Sequence, residues 1–524
     1  MALTETRPET ETEGPTASPR PTPTALERLV GTGSYASIGR LYIGFSLVFA
    51  VAAGVVRLLV GLDIATDNGF LGSRVPMLNA SSLLALILLG AVPFLLGLAI
   101  SVVPRQVGSP SIAFPRAAAL SFWAWLITSG IFITSVAING GVLGGDRAAA
   151  RLGNVAIGGV MASLVLGAVL VATTVVVHRP MGMRLANVPL FSWSMLVGST
   201  IWIATFGSVI AHVILGQVSH LSAEGLVENF GSGIYWLLRG PAIYMVAIPV
   251  LGIAGDVLPA MTGRRLKHYG VFQGLIGAFA VLSFGAWAQL PSSVNTVVWA
   301  GFALAVALPI LGLLGGLAES LRYGKAKING ALVCSLTSLL LLLGGAIGGV
   351  LQAFDTLGTG YLFEFGTAAL VTGQAYFVVA GALVGGIGGL FYWSTKLWGG
   401  PAKEPIASGL GVLVFLGGGL IGTVLIVQAI VQRNQETTAN QFFGALSSVG
   451  ILLVVVGLLG VLAQIAGIAR HAHDDDEDGA DDRAERDPWN GLTLEWADPA
   501  DELVTVTSPY PLLDAREGDE EGSK

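Results

Sequence analysis

Charged side chains are scarce: they make up 12% of 524 residues, against 53% hydrophobic ones, and the mean hydropathy is +0.73. That shortage excludes a water-soluble globule, which would have to expose large apolar patches. Cysteine is nearly missing as well. Cys334 stands alone inside an apolar run, so neither an intramolecular disulfide nor a cysteine-based metal site can form. The first 30 residues contain no apolar stretch. Residues 1–38, rich in Pro, Thr and Glu, therefore read as a disordered cytoplasmic extension and not as a signal peptide.

What the chain does have is long hydrophobic runs. A helix needs about 20 apolar residues to cross the hydrocarbon core of a bilayer. Such runs begin near Arg40, Ala80, Ala117, Gly153, Val188, Ile234, Gly270, Thr296, Asn329, Thr367, Pro405 and Phe442. The expected fold is an all-α polytopic membrane protein with twelve transmembrane helices over residues 39–469. The abundance of glycine, 72 residues, fits helices that approach closely where lipid gives no hydrophobic drive to associate.

Loop charges set the orientation. With the N-terminus inside, the inner loops hold Arg105, Arg116, Arg179, Arg184, Arg264, Arg265, Lys267, Arg322, Lys325, Lys327, Lys396 and Lys403, and the outer loops only Arg74, Arg147, Arg151 and Arg433. The excess follows the positive-inside rule and places both termini in the cytoplasm of a cell whose plasma membrane the chain crosses many times. Residues 470–524 form an acidic cytoplasmic tail. Its run from His471 to Asp478 carries two histidines among carboxylates, but a terminal tract of like charge reads as solvated rather than metal-binding.

Several motifs share one origin. Pro104 to Arg116 reads PRQVGSPSIAFPR and is followed by Leu120-Ser121-Phe122-Trp123; Gly182 to Leu185 reads GMRL; Val188 to Ser194 reads VPLFSWS; Ala375 to Ala380 reads AYFVVA; Asp487 to Trp496 reads DPWNGLTLEW. In order and spacing these blocks resemble subunit I of the haem-copper oxidases, the large subunit of cytochrome c oxidase. The segment Tyr235 to Tyr244 resembles that family's FGHPEVY motif, with Pro241 and Tyr244 retained, Gly240 in place of the histidine and Ala242 in place of the glutamate.

The resemblance implies a twelve-helix scaffold, oxygen reduction coupled to proton pumping, haem and copper cofactors, and membrane partner subunits. It also implies six histidine ligands, since imidazole nitrogen suits both iron and copper. At the corresponding positions this chain has Gly240, Gln289 and Leu290 for copper, Gly381 and Leu383 for haems on opposite sides of the helix, and Ser81 or Ser82 for the remaining haem ligand. Family positions on the proton paths read Ser111, Leu313 and Ala242, and a magnesium-binding pair reads Gly373-Gln374. No catalytic residue, no metal site and no cofactor is therefore expected.

Of the six histidines, only His212 lies within an apolar run where a cofactor could be reached; a hydrogen bond to a neighbouring helix is the plainer role. Arg239, beside the vacated copper position, is either a cavity residue one turn from Tyr244 or a side chain that snorkels to the surface. The tail tryptophans Trp489 and Trp496 either anchor a partner or fold back on their own chain. The functional expectation is a redox-inactive structural or regulatory partner in a respiratory-type membrane complex. The alternatives are a channel, carrier or binder of small molecules such as quinones or lipids in the vacated haem cavities, and an oxidase with unorthodox ligation.

Overall fold

The computed structural model describes residues 32–141, 146–180, 182–218, 236–237, 241–287, 296–324, 326–356, 367–431, 439–478, 487–497 and 506–522. The described chain is a helical bundle. In order, the helices are α1 (Tyr35–Thr66), α2 (Val75–Ala85), α3 (Val92–Gln106), α4 (Pro115–Ala137), α5 (Arg147–Val177), α6 (Leu190–Val218), α7 (Pro241–Thr262) and α8 (Tyr269–Trp287). They continue with α9 (Thr296–Ala305), α10 (Ala307–Tyr323), α11 (Gly330–Thr356), α12 (Thr367–Tyr392), the short α13 (Ser394–Trp398), α14 (Glu404–Val431), α15 (Ala439–Asp478) and α16 (Pro511–Gly522).

Eleven stretches among the described residues are long and apolar enough to cross a membrane, with α2 and α3 counted as one and α9 and α10 as one. The twelfth run, α8, contributes a shorter apolar segment, Tyr269–Ser283. Each run read from the sequence thus has its helix.

Local chemistry explains where several helices start and bend. Ser34 and Asp146 accept hydrogen bonds from Ser37 N–H and Ala149 N–H and so cap α1 and α5, satisfying donors that a helix start leaves free. A π-helical turn, Leu86–Ala91, joins α2 to α3. Val92 N–H reaches back to Ile87 O, and the next residue, Pro93, has no N–H to give Leu88 O. Trp125 Nε1–H, from α4, supplies the missing donor at 3.3 Å.

The helices close into a ring in which α1, α15, α14, α12, α7, α6, α5 and α4 each pack on the next and α4 returns to α1, which also packs on α3. The innermost spans are α2–α3, α7 and α12, with 94%, 100% and 94% of their apolar windows buried. These three carry family ligand positions. On the outside, α4 presents Leu120, Ile127 and Ile133 and α15 presents Leu452, Val456 and Leu459, all exposed, as expected of surfaces that face lipid.

The tail is structured where it is described. Residues 470–478 continue α15 as helix, and residues 487–497 and 506–522 lie against the arginine-rich end of the bundle. Trp489 Nε1–H donates to Tyr392 O at 2.8 Å and Trp496 Nε1–H to Tyr392 Oη at 3.0 Å. Asn187 Nδ2 donates to Thr507 O, and Arg265 pairs with Asp514 and Glu517. Both tryptophans are buried by their own chain. Of the two roles open to them, the structure shows folding back.

Candidate functional site

Two clefts lie between the inner helices, and the family ligand positions bear on both. The first, about 380 Å³ including its mouth, is bounded by α1, α2, α12, α14 and α15. Ser82 and Leu383, two of the residues at family ligand positions, line it. Ser81, by contrast, turns toward Gly141. The second cleft, about 200 Å³, is lined by Tyr244 and Ala247 of α7, Phe279 of α8, Ile310, Leu342, Ala346 and Val378 among others. Among the described residues that line it, Tyr244 has the one polar side chain.

Among the described residues, neither cleft is lined by an imidazole. Ser82 Oγ–H is already given to Asn79 O at 2.9 Å, and Leu383 has no donor atom. Gly381 is a packing residue: a Cβ there would lie 3.1 Å from Leu342 Cδ2 and 3.2 Å from Ser338 O, against the flank of α11. On the other side of α12, a Cβ at Gly418 would collide with Ala380. So α12 is clamped between α11 and α14 at the level where the family places its haems. The described residues do not fit haem ligation, and no chemical step is assigned to the group. Arg239, Gly240, Gln289 and Leu290 lie outside the described residues.

His212 sits in the last turns of α6, half-buried, with Ala211, Ile214 and Leu215 exposed around it, and lines neither cleft. Tyr244, buried, packs edge-on against Phe279 with ring centroids 6.1 Å apart. Gln374 accepts from Gln352. The residue that stands at a family magnesium-ligand position is thus held in a neutral amide–amide hydrogen bond.

Sequence reasoning missed two polar features. The first is Arg57 in α1, 6% exposed, with its Cζ 5.9 Å from the centroid of the Tyr376 ring and its Nε without a partner. A single arginine in an apolar run was signal enough, because an ionisable residue inside a span is a site candidate by default. The second is a buried pair of acids at the arginine-rich end. Gln106 Nε2 donates to Asp256 Oδ2 at 2.8 Å and to Glu495 Oε1 at 3.1 Å, and Trp393 Nε1–H also donates to Glu495 Oε1. Burial pushes the Glu495 carboxyl above the usual carboxylate range. Leu190 N–H and Phe191 N–H donate to the two Asp256 oxygens at 2.9 and 3.0 Å, so Asp256 caps the start of α6. These three polar residues are far apart in sequence and no spacing rule joins them.

A sequence model of the family described as cytochrome c and quinol oxidase polypeptide I matches residues 37–462. The chain belongs to that family. It is 25% identical to a putative cytochrome c oxidase subunit 1-beta of Streptomyces avermitilis, over 92% of this chain and 91% of the relative. It is equally similar to cytochrome c oxidase subunit 1 of Bacillus subtilis, 25% identical over 92% of this chain and 79% of the relative. A haem-copper oxidase subunit I+III of Aeropyrum pernix is 25% identical over 90% of this chain and 60% of the relative. The protein is a multi-pass membrane member of the haem-copper oxidase subunit I family.

Proposed function

We propose that this family member is redox-inactive and serves as a structural or regulatory partner in a respiratory-type complex of the plasma membrane, with both termini on the cytoplasmic side. One observation carries the reading. On α12, the position for one haem ligand is Gly381, pressed against α11, and the position for the other is Leu383, a cleft-lining hydrocarbon facing Ser82. Glycine and leucine side chains supply no donor to iron. The substitutions at Gly240, Gln289 and Leu290, read from sequence, would remove copper ligands in the same way. Partnership is supported by the names of the relatives, which are subunits of cytochrome c oxidase, and the orientation by the excess of basic residues in alternate loops.

Purification from native membranes in mild detergent tests the partnership. Specific membrane proteins are expected to copurify in fixed ratio, and oxygen uptake by the purified chain with reduced cytochrome c or a quinol as donor is expected to be nil. A chain that always purifies alone, or one that turns over by itself, contradicts the proposal. The reading of the chain as a small-molecule binder also has an observation in its favour, the buried Arg57 guanidinium that lies over the Tyr376 ring at the first cleft.

A further inference from the structure

We propose that the ends of α7, α8 and α10 on the tail side of the bundle form a binding site for an anionic phospholipid, with its phosphate on Arg264, Arg322 and Lys327 and its acyl chains along the outer face of α10. The inference is independent of redox inactivity and rests on where unpaired charge and exposed hydrocarbon meet.

Two segments of the chain bring the cations together. Arg264 closes the turn that ends α7, its N–H returning to Pro259 O at 3.2 Å. The segment after α10 lies on that turn: Lys327 N–H donates to Met261 O at 3.0 Å, and a Cβ at Gly324 would lie 2.7 Å from Thr262 Cβ. Lys267, just before α8, reaches across to α10, where its Nζ pairs with Glu319 Oε1 at 2.9 Å and stands 5.1 Å from the centroid of the Tyr323 ring. Arg322 Cζ lies 5.7 Å from the same centroid. The three helices thus end in one cationic surface.

The acids nearby are already engaged. Among the described residues Glu319 pairs with Lys267, and Asp514 and Glu517 of the tail pair with Arg265, so that Arg264, Arg322 and Lys327 are left without a carboxylate. All three are exposed. Arginine presents paired donors that match the oxygens of a phosphate.

Hydrocarbon distinguishes this surface from one for a soluble anion. Ile328, next to Lys327, is 84% exposed, and Tyr323 is 52% exposed. Side chains of this kind fit the boundary between headgroups and acyl chains, which buries an isoleucine and leaves a phenol hydroxyl wet. Leu308 and Leu311 are also exposed on α10, and the spacing from them through Gly315 to Arg322 keeps these residues on one face. From Leu311 to Arg322 the helix rises about 16 Å, close to half of the roughly 30 Å hydrocarbon core. A lipid whose chains lie on that face has its phosphate level with Arg322.

Phosphatidylglycerol is the probe. The full chain, washed free of its own lipid in mild detergent, is offered radiolabelled phosphatidylglycerol or phosphatidylcholine with the same acyl chains. Saturable retention of phosphatidylglycerol is expected, with phosphatidylcholine held at least about tenfold more weakly. Arg264→Gln, Arg322→Gln and Lys327→Gln together are expected to weaken retention at least about tenfold, since each basic residue near an anionic headgroup is worth about fivefold. The same change at Arg40, Arg116 and Arg179, basic residues at the same end of the bundle near α1, α4 and α5, is expected to alter it less than about twofold, because charge beyond a Debye length is screened. Should the triple variant not fold, Arg322→Gln alone, at an exposed helix end, decides with about a fivefold loss. Four results overturn the proposal: no saturable retention of phosphatidylglycerol, equal retention of the two lipids, equal loss in the two sets of variants, which would make the attraction a general property of this end of the bundle, or displacement by inorganic phosphate at constant ionic strength, which would make the site one for a soluble anion.

Discussion

Asp256 shows what one buried side chain can hold together. Its two oxygens accept from Leu190 N–H, Phe191 N–H and Gln106 Nε2, so that α6, α7 and α3 meet at one carboxyl group. Asp256→Ala would strand two backbone donors and one amide in a dry environment, at about 1–3 kcal/mol for each unsatisfied group. A clear fall in the thermal unfolding midpoint of the detergent-purified chain is expected; an unchanged midpoint would mean that water reaches the site. Glu495 gives a prediction with a sign. Burial raises its folded-state pKa above the ordinary carboxylate value, so the folded tail favours the protonated form. Its contribution to tail docking is fully present below about pH 4.3, the ordinary glutamate value, and is lost as the pH rises through the raised folded value. Limited proteolysis between residues 487 and 497 should therefore become several-fold faster from acid to alkaline pH in the native chain. Glu495→Gln, which cannot ionise, should flatten that dependence; an unaltered profile would assign it to another group.

At the scale of elements, helix α12 depends on small residues that let its neighbours close in. Gly418→Leu places a branched side chain where even a Cβ meets Ala380, and overpacking of this kind costs about 1–3 kcal/mol. A lower unfolding midpoint is expected, with Gly409→Leu, at an open position on the same helix, as the neutral control; equal effects of the two would deny the clamp. The tail is the second element with a testable role. Truncation after Arg470 removes Trp489, Glu495 and Trp496 from their places against Tyr392, Gln106 and Trp393, and should destabilise the membrane domain while leaving any copurifying partners attached. Loss of partners from an intact domain would return the tryptophans to a docking role. The elements themselves were legible in the sequence, because hydrocarbon thickness fixes the length of an apolar run and each of the twelve runs has its helix. The docking of the tail was not. DPWNGLTLEW shows two tryptophans that need cover, but the cover comes from Tyr392, nearly a hundred residues away in sequence, and burial by self or by a partner leaves the same trace in a sequence.

The described residues form the all-helical membrane bundle expected of the family, and at the positions aligned with ligands Gly381 packs against α11 and Leu383 lines the first cleft. The motif AYFVVA sets the register on which Gly381 and Leu383 are assigned to ligand positions, and both fall, as expected, within an inner helix. Arg57 was within reach, a lone cation in an apolar run, but the comparison with family ligand positions drew attention to Arg239 instead. The Asp256, Gln106 and Glu495 cluster could not have been read, since only the packed bundle brings α3, α7 and the tail together. The central claim is that this scaffold carries no family-type haem. Its most direct test is the reduced-minus-oxidised absorption spectrum of the purified full-length chain, with total haem extracted and quantified from the same sample. The account predicts a flat difference spectrum and no haem in proportion to protein; stoichiometric haem bands, persisting in His212→Ala, would contradict it.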